Sequence, residues 1–478
     1  MAQRSSRAGH AGVKVLLILL ILLMIAATVF MIKLCLDIPG QTVKPRPTEA
    51  PSLFAPPQTE EQEAPTETTL PEPEHVVSTA TVGSMGDLLM HKPIFDDLTE
   101  YNAAVQKSDG SYDFESVFRY LKDTVTNLDY AVANLETTLA GTDNGYAFSG
   151  YPNFNCPDQV VDGARDAGFD MLLTANNHSY DTSLVGYKRT LEVVRDKGLA
   201  TLGTYASADE TKWSIITVND INIGMLCYTY ATSATEDGRP SLNFMPHISE
   251  AGLCNYFVGD KLQAFYDEVA GYLAEMEAAG AEATMLYIHW GIEYMTTPTE
   301  QQQEIAQALC DLGIDVIVGG HPHMVQPVEL LESTADPEHK TVCLYSMGNA
   351  VSNQRLGNLQ SVTTAHTEDG VLFNVIFEKY SDGTVYLAGA EIIPTWVNMH
   401  LNGSGKTEYN ILPLDGSRQE EWKSLFEIED NTLNAAKNSH ARTMAIVGAG
   451  LAECQTYLAE EKIAREEYYR DLANSIAE

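Results

Sequence analysis

The apolar positions change period three times along the chain. Residues 15–32, VLLILLILLMIAATVFMI, run for 18 residues without a charge, which at helical rise just crosses a hydrocarbon layer of about 30 Å. From residue 39 to 74 the pattern disappears into Pro, Thr and Glu with almost no large apolar side chains, a composition that cannot bury enough surface to offset its chain entropy. After that, short apolar runs at 76–85, 130–133, 169–174, 285–288, 316–318 and 342–346 read as buried strands. Helical stretches lie between them. In the clearest, residues 261–280, Leu262, Phe265, Val269, Leu273 and Met276 recur at spacings of three and four before Gly280 supplies a stop. Alternating strands and helices predict an α/β fold with mainly parallel pairing. Two alternating runs after Gly370, VLFNVIFEKY and TVYLAGAEIIP, flank Ser381-Asp382-Gly383 and predict an antiparallel hairpin, hence a mixed sheet. Beyond about Pro413 the pattern is helical and charged, with Trp422, Leu425, Leu433, Leu451, Tyr457 and Leu458 as candidate buried positions.

Charge and cysteine content narrow the class. Lys and Arg number 29 against 66 Asp and Glu, a net charge of −37 that repels phosphate backbones and excludes nucleic acid as a partner. Seven cysteines without a CxxC pair cannot form a closed disulfide set or a thiolate zinc site. Arg4, Arg7 and Lys14 precede the apolar run, so the positive-inside rule keeps the amino terminus cytoplasmic and places the rest outside the cell. A cleaved signal peptide is the rival reading, but the run is longer than a usual signal core and no clear A-x-A site follows. Cys35 lacks the small preceding residues of a lipobox, since Ile32-Lys33-Leu34 stand there. The expected organisation is a cytoplasmic basic segment (1–14), a transmembrane anchor (15–36), a Pro/Glu/Thr-rich stalk (37–75), a catalytic or binding domain (76–400) and a helical extension (401–478).

Candidate chemistry sits just after predicted strands, where open α/β sheets gather their ligands. Five segments have this placement: Gly86-Asp87; Asn134-Leu135-Glu136; Asn176-Asn177-His178 with Asp181; His289-Trp290-Gly291 with Glu293; and Gly320-His321-Pro322-His323. Singly, each reads as an ordinary turn or loop residue. Two imidazoles flanking one residue can reach one metal ion or two adjacent ones, and carboxylate, amide and imidazole donors without a thiol suit Mn, Fe or Zn, as a pair about 3.5 to 4 Å apart. No GxGxxG follows the first strand, which removes a dinucleotide-binding reading.

The ordered set MGDLLM, ANLETTL, TANNHSYD, IHWGIEY, PTEQQQEIAQALCDLGIDVIVGGHPHMVQPVEL and YSMGNAVSN resembles the CapA family of bacterial poly-γ-glutamate capsule-synthesis proteins, of the calcineurin-like metallophosphoesterase superfamily, over roughly residues 76–397. The resemblance implies a four-layer α-β-β-α metallophosphatase-like sandwich with mixed sheets. It implies two divalent ions on Asp87, Glu136 (bridging), Asn177, His289, His321 and His323, with His178 as general acid. Its substrates would be a phosphoester or a cell-surface polymer such as poly-γ-glutamate, in the company of other capsule-synthesis proteins. Leu89 stands where the superfamily usually has a histidine ligand, and Glu136 where it usually has aspartate. His91 reads better as a loop residue than as a substitute ligand. Asp181 and Glu293 are expected to orient His178 and His289, Asn349 to line the pocket, and Trp290 and Tyr294 to shape its wall or to pack. Both a metal-dependent hydrolase and a non-catalytic polymer-binding or export component fit these residues.

Overall fold

The computed structural model describes residues 74–96, 102–231, 233–234, 239–243 and 252–477. The anchor expected at 15–36 and nearly all of the stalk lie outside these residues, and no described helix is long and apolar enough to cross a membrane.

The strands in chain order are β1 (Val76–Leu88), β2 (Tyr130–Asn134), β3 (Met171–Leu173), β4 (Ala200–Leu202), β5 (Ser214–Val218), β6 (Ile221–Tyr230), β7 (Ser233–Ala234), β8 (Pro240–Ser241), β9 (Tyr256–Phe257), β10 (Ala283–His289), β11 (Val316–Gly320), β12 (Val328–Glu332), β13 (Lys340–Leu344), β14 (Asn349–Val351), β15 (Asp369–Tyr380), β16 (Val385–Leu401) and β17 (Thr407–Pro413). One sheet has the order β17-β16-β15-β1-β2-β3-β4, with β14 beside the end of β1. The other runs β12-β13-β11-β10-β6-β5, with β9 beside β6. β1 to β4 are mutually parallel, as are β6, β10, β11 and β13, while β15, β16, β17, β5 and β12 pair antiparallel. Both sheets are therefore mixed, as the pattern predicts.

Alternation of side chains gives each sheet two buried faces. Val82, Val132, Met171, Val375 and Phe377 of the first sheet pack with Ile223, Met225, Met285, Val316 and Val342 of the second in one core between them. The opposite faces take Val160, Val161 and Ala164 from the helix Gln159–Ala167, and Phe265, Val269 and Ile305 from the helices Leu262–Ala278 and Glu300–Asp311. The result is an α/β/β/α stack of four layers. A buried bond between Ser84 Oγ and Tyr287 Oη, 3.0 Å, ties β1 to β10 across the central core.

The expected strands at 76–85, 130–133, 285–288 and 316–318 lie within β1, β2, β10 and β11, and the helix expected at 261–280 is Leu262–Ala278 with Gly280 in the left-handed region (φ 95°). The antiparallel hairpin is β15–β16. The extension differs from the helical 401–478 expected: β16 continues to Leu401 and β17 pairs with it from Leu401 to Thr395, because alternating Tyr409 and Ile411 complete the core beneath the first sheet. Thereafter come a short helix, Trp422–Leu425, and a long one, Asp430–Ala477, which runs 48 residues along the sandwich. Its Val447, Leu451, Cys454 and Leu458 join the central core, whereas Leu425, expected to be buried, is exposed.

Helix and sheet approach closely at Gly450, where an added Cβ would fall 1.8 Å from the Val328 carbonyl oxygen. Gly450→Ala must push the helix off β12. The expected loss is roughly 1–3 kcal/mol or more, the usual penalty for overpacking, read as a lower midpoint in urea unfolding of residues 74–478. An unchanged midpoint would show that the helix is not seated there.

Candidate metal centre

Parallel strands bring their carboxyl ends to one pole, and the register aligns them. Asp87 lies opposite Asn134 on β2 and Asn349 on β14, while His289 lies opposite Gly320 on β11 and Thr229 on β6. Gly86 permits this crowding, since a Cβ there would be 1.9 Å from the Gly348 carbonyl oxygen. The loops leaving β10 and β11 are pinned together through Gln302, at the start of the helix capped by Thr299. Its amide donates to Gln326 Oε1 (2.8 Å), and Gln326 donates to the carbonyls of Met295 and Thr297 (3.1 Å each).

His321 and His323 both have left-handed backbones, φ 95° and 55°, a conformation that costs a non-glycine residue about 1 kcal/mol or more and persists only where its surroundings hold it. Tyr294 N–H donates to the Pro322 carbonyl (2.8 Å) and Trp290 N–H to that of Gly320 (3.1 Å). Asn349 Oδ1 and Asp87 Oδ2 each lie 3.1 Å from His323 Nδ1, which leaves Nε2 facing Glu136, 3.9 Å from Oε1. Asn134 Nδ2 donates to Asp87 Oδ1 at 2.7 Å. His289 Nε2 sits 2.9 Å from Asn177 Oδ1, 3.2 Å from His321 Nδ1 and 3.5 Å from Glu136 Oε1.

Two groups emerge in which one donor atom from each residue lies within 4.8 Å of the others: Asp87, Glu136 and His289, and Glu136, His321 and His323. They share Glu136. That carboxylate is fully buried, and neither oxygen has a hydrogen-bond partner among the described residues. Burial raises its pKa well above the ordinary value, and the neighbouring Asp87 and then Glu293 raise it further. Burial would raise Asp87 as well, but the hydrogen bond and charge of His323 outweigh it and hold that carboxyl low. Burial pushes His289 down to about 3 and His321 well below the ordinary range, so both rings are neutral with lone pairs available. A buried carboxyl with no hydrogen-bond donor, among neutral imidazoles and an amide oxygen, is a donor set that suits a divalent cation, whose charge would favour the ionised form.

His178 stands beside this cluster. Its Nδ1 is 2.7 Å from Asp181 Oδ2, which also accepts from the Phe154 N–H (2.7 Å), and Phe154 meets the imidazole edge-on at 4.7 Å. Asp181 is thus placed where its carboxylate can hold the His178 ring. Glu293 does not orient His289: it is exposed, no bond joins the two, and it acts on the cluster only through its charge. Trp290 is buried in the core of the second sheet, its indole N–H donating to the Tyr345 carbonyl (2.9 Å), and forms no wall of the site. Tyr294 does line it, 6.2 Å from the His323 ring and held by Gln354 (3.2 Å). His91 is half-buried against Phe154 (5.1 Å), accepts from the Asn353 N–H (3.3 Å) and belongs to neither group. The side chain of Leu89 is core.

Three contributors went unread in the sequence. Tyr230 ends β6, lies parallel to His289 at 6.4 Å and tilts against His321 at 4.8 Å; its position after a strand was the available signal. Phe154 and Asn243, whose Nδ2 is 3.1 Å from Asp181 Oδ1 and 3.2 Å from His178 Nδ1, lie in loops that no local pattern marks.

A four-layer α/β sandwich whose strand ends converge on two carboxylate–imidazole groups with a common carboxylate gives the protein a candidate site for divalent cations. Comparison with known proteins carries this further. Residues 81–354, more than half of the chain, match the family described as bacterial capsule synthesis protein PGA_cap, and the chain belongs to that family. It is similar to the PGA biosynthesis protein CapA of Bacillus subtilis (strain 168), 26% identical over 281 residues that cover 56% of this chain and 62% of that protein. The capsule biosynthesis protein CapA of Bacillus anthracis is 25% identical, with 57% and 60% covered. In both cases the match spans less than two thirds of the relative's length. A Thermus thermophilus sulfate thiohydrolase SoxB solved with glycerol overlaps at TM-score 0.35 and 14% identity, covering 73% of this chain and 59% of that one, too loosely to define a common fold.

Glu136→Gln keeps the shape of the side chain and removes the charge that Asp87 opposes. In the presence of a chelator this variant is expected to be more stable than the native protein by on the order of 1 kcal/mol, and to gain far less on addition of Mn²⁺. Thermal melts with and without metal measure both effects. Equal metal-induced stabilisation of the two proteins would remove Glu136 from the centre.

Proposed function

We propose that this member of the capsule-synthesis family is a membrane-anchored, extracytoplasmic hydrolase whose centre holds divalent cations and cleaves a phosphoester or a linkage of an envelope polymer such as poly-γ-glutamate. The observation that carries the reading is Glu136, a buried carboxyl without a hydrogen-bond partner among the described residues that is common to both groups of candidate ligands. Asp87, Glu136, Asn177, His289, His321 and His323 would hold the ions, two of them at most, as Mn, Fe or Zn. Such ions supply a water of lowered pKa and a positive field for developing negative charge.

The remaining work falls to the chain itself. Asp181 accepts from His178 Nδ1 and thereby fixes the tautomer and the ring plane, leaving Nε2 to give a proton to a leaving oxygen or nitrogen. Phe154 against the ring limits its rotation. The left-handed backbones of His321 and His323 aim two imidazoles from one short loop. A second reading, in which the centre only binds or guides an anionic polymer, is favoured by Leu89, whose apolar side chain in the core offers no donor at the position two after Asp87. The anchoring rests on the apolar run at 15–32 behind Arg4, Arg7 and Lys14.

His178→Ala is expected to lower hydrolysis of a chromogenic phosphodiester, or of poly-γ-glutamate, by roughly 10²-fold to 10⁴-fold with metal content unchanged, whereas His323→Ala loses both. Wild-type rates from a well-expressed His178→Ala protein would remove His178 from proton transfer, and a native protein that hydrolyses neither substrate would leave the polymer-binding reading. For the anchor, protease added to intact cells should cut within 39–74 and release a soluble fragment. Finding protein in the medium that begins shortly after residue 27 would instead show a cleaved signal peptide.

A further inference from the structure

Behind the centre a line of buried bonds leads out of the family-matched region and into the C-terminal helix. Asn349, fully buried, holds His323 at both ends: its Oδ1 is 3.1 Å from the ring Nδ1, and its Nδ2 lies 3.3 Å from the His323 carbonyl oxygen. The same Nδ2 donates to the carbonyl of Thr367 at 3.0 Å. Thr367 belongs to the turn Ala365–Glu368, which leads directly into Asp369. Asp369 is buried and accepts from Ser439 Oγ (2.6 Å) and from Arg442 Nε (2.8 Å) and Nη2 (2.7 Å), both residues of the helix Asp430–Ala477. The backbone of Asp369 also abuts the residue before Asn349, since a Cβ on Gly348 would lie 2.7 Å from the Asp369 carbonyl oxygen.

We propose that Arg442 is a positioning residue for the metal centre: by clamping Asp369 it fixes the Ala365–Glu368 turn, through the turn Asn349, and through Asn349 the ring of His323. The proposal rests on the metal-binding reading above. Without the guanidinium, Asp369 would be a buried and uncompensated carboxylate, and the turn must shift to bring it to water. That shift withdraws the Thr367 carbonyl from Asn349. His323 is the residue most sensitive to such loosening, because its left-handed backbone is kept only by the groups around it. A second ion pair of the same helix, Lys462 with Glu378 at 2.6 Å, docks it near the far end of β15 and has no bond toward Asn349. It provides the control.

The experiment uses the full chain with Arg442→Ala, Arg442→Lys, Ser439→Ala and Lys462→Ala. Two quantities are read: Co²⁺ affinity and absorption spectrum by titration, and the ring resonances of His323 in metal-free, histidine-labelled protein. Arg442→Ala is expected to weaken Co²⁺ binding about tenfold, the lower end of what orienting partners of metal ligands contribute, and to move the His323 resonances. Arg442→Lys should fall between it and the native protein, and Ser439→Ala should act in the same direction but less. Lys462→Ala should lower the melting temperature while changing the affinity less than about twofold. The proposal is overturned if the His323 resonances stay put in folded Arg442→Ala, or if Lys462→Ala alters affinity and resonances as much. Should Arg442→Ala not fold, Ser439→Ala decides by the same criteria. A native protein that takes up no Co²⁺ would sink the metal reading, and the His323 resonances would still judge the positioning role.

Discussion

Glu136 sets the terms for everything around it. A carboxylate taken out of water needs a cation or several donors, yet this one, between the two sheets' strand ends, has neither among the described residues. The candidate ligands that surround it are a second carboxyl, Asp87, and the imidazoles of His289, His321 and His323, of which burial keeps His289 and His321 neutral. Such an arrangement is unfavourable by itself and becomes favourable with positive charge at its centre. The fold tolerates it because the two sheets are locked by an extensive apolar core directly beneath, and by the Ser84–Tyr287 bond across that core.

The rest of the pole is built to keep these side chains from relaxing away from one another. Three of the ligand candidates meet an amide from another element: Asp87 meets Asn134, His323 meets Asn349, and His289 meets Asn177. Amides recur because an amide can meet a carboxylate or an imidazole without adding charge. Two consecutive left-handed histidines separated by Pro322 store strain, and the hydrogen bonds from Trp290 and Tyr294 maintain it. The centre is therefore prepared before any ligand arrives, which is what either hydrolysis or selective binding requires.

The long C-terminal helix gives the sandwich a side it would otherwise lack. It covers the central core with Val447, Leu451 and Leu458, and at Asp369 it touches the strand that adjoins Asn349. Stability and site geometry are coupled there through one buried carboxylate, so a helix beyond the family-matched residues 81–354 bears on residues within them.

Much was legible before the fold was known. Short apolar runs followed by Asp, Glu, Asn or His marked the parallel strands and their functional ends, since strand period and strand-end placement are local properties of the chain. Asp87, Glu136, Asn177, His289, His321 and His323 stand in that pattern, and the pairing of His178 with Asp181 follows from their spacing of three on one turn. Tertiary structure alone decided the rest. Glu293 follows His289 by four residues much as Asp181 follows His178 by three, yet it is exposed, on a loop where Gly291 and Tyr294 adopt left-handed backbones. Trp290 falls into the core of the second sheet, where its indole N–H meets the Tyr345 carbonyl. That β17 completes the first sheet, that Asn243 and Phe154 frame His178, and that Arg442 reaches Asp369 depend on contacts between segments far apart in the chain. No local period encodes such contacts; they follow from which faces remain to be buried once the sheets have closed.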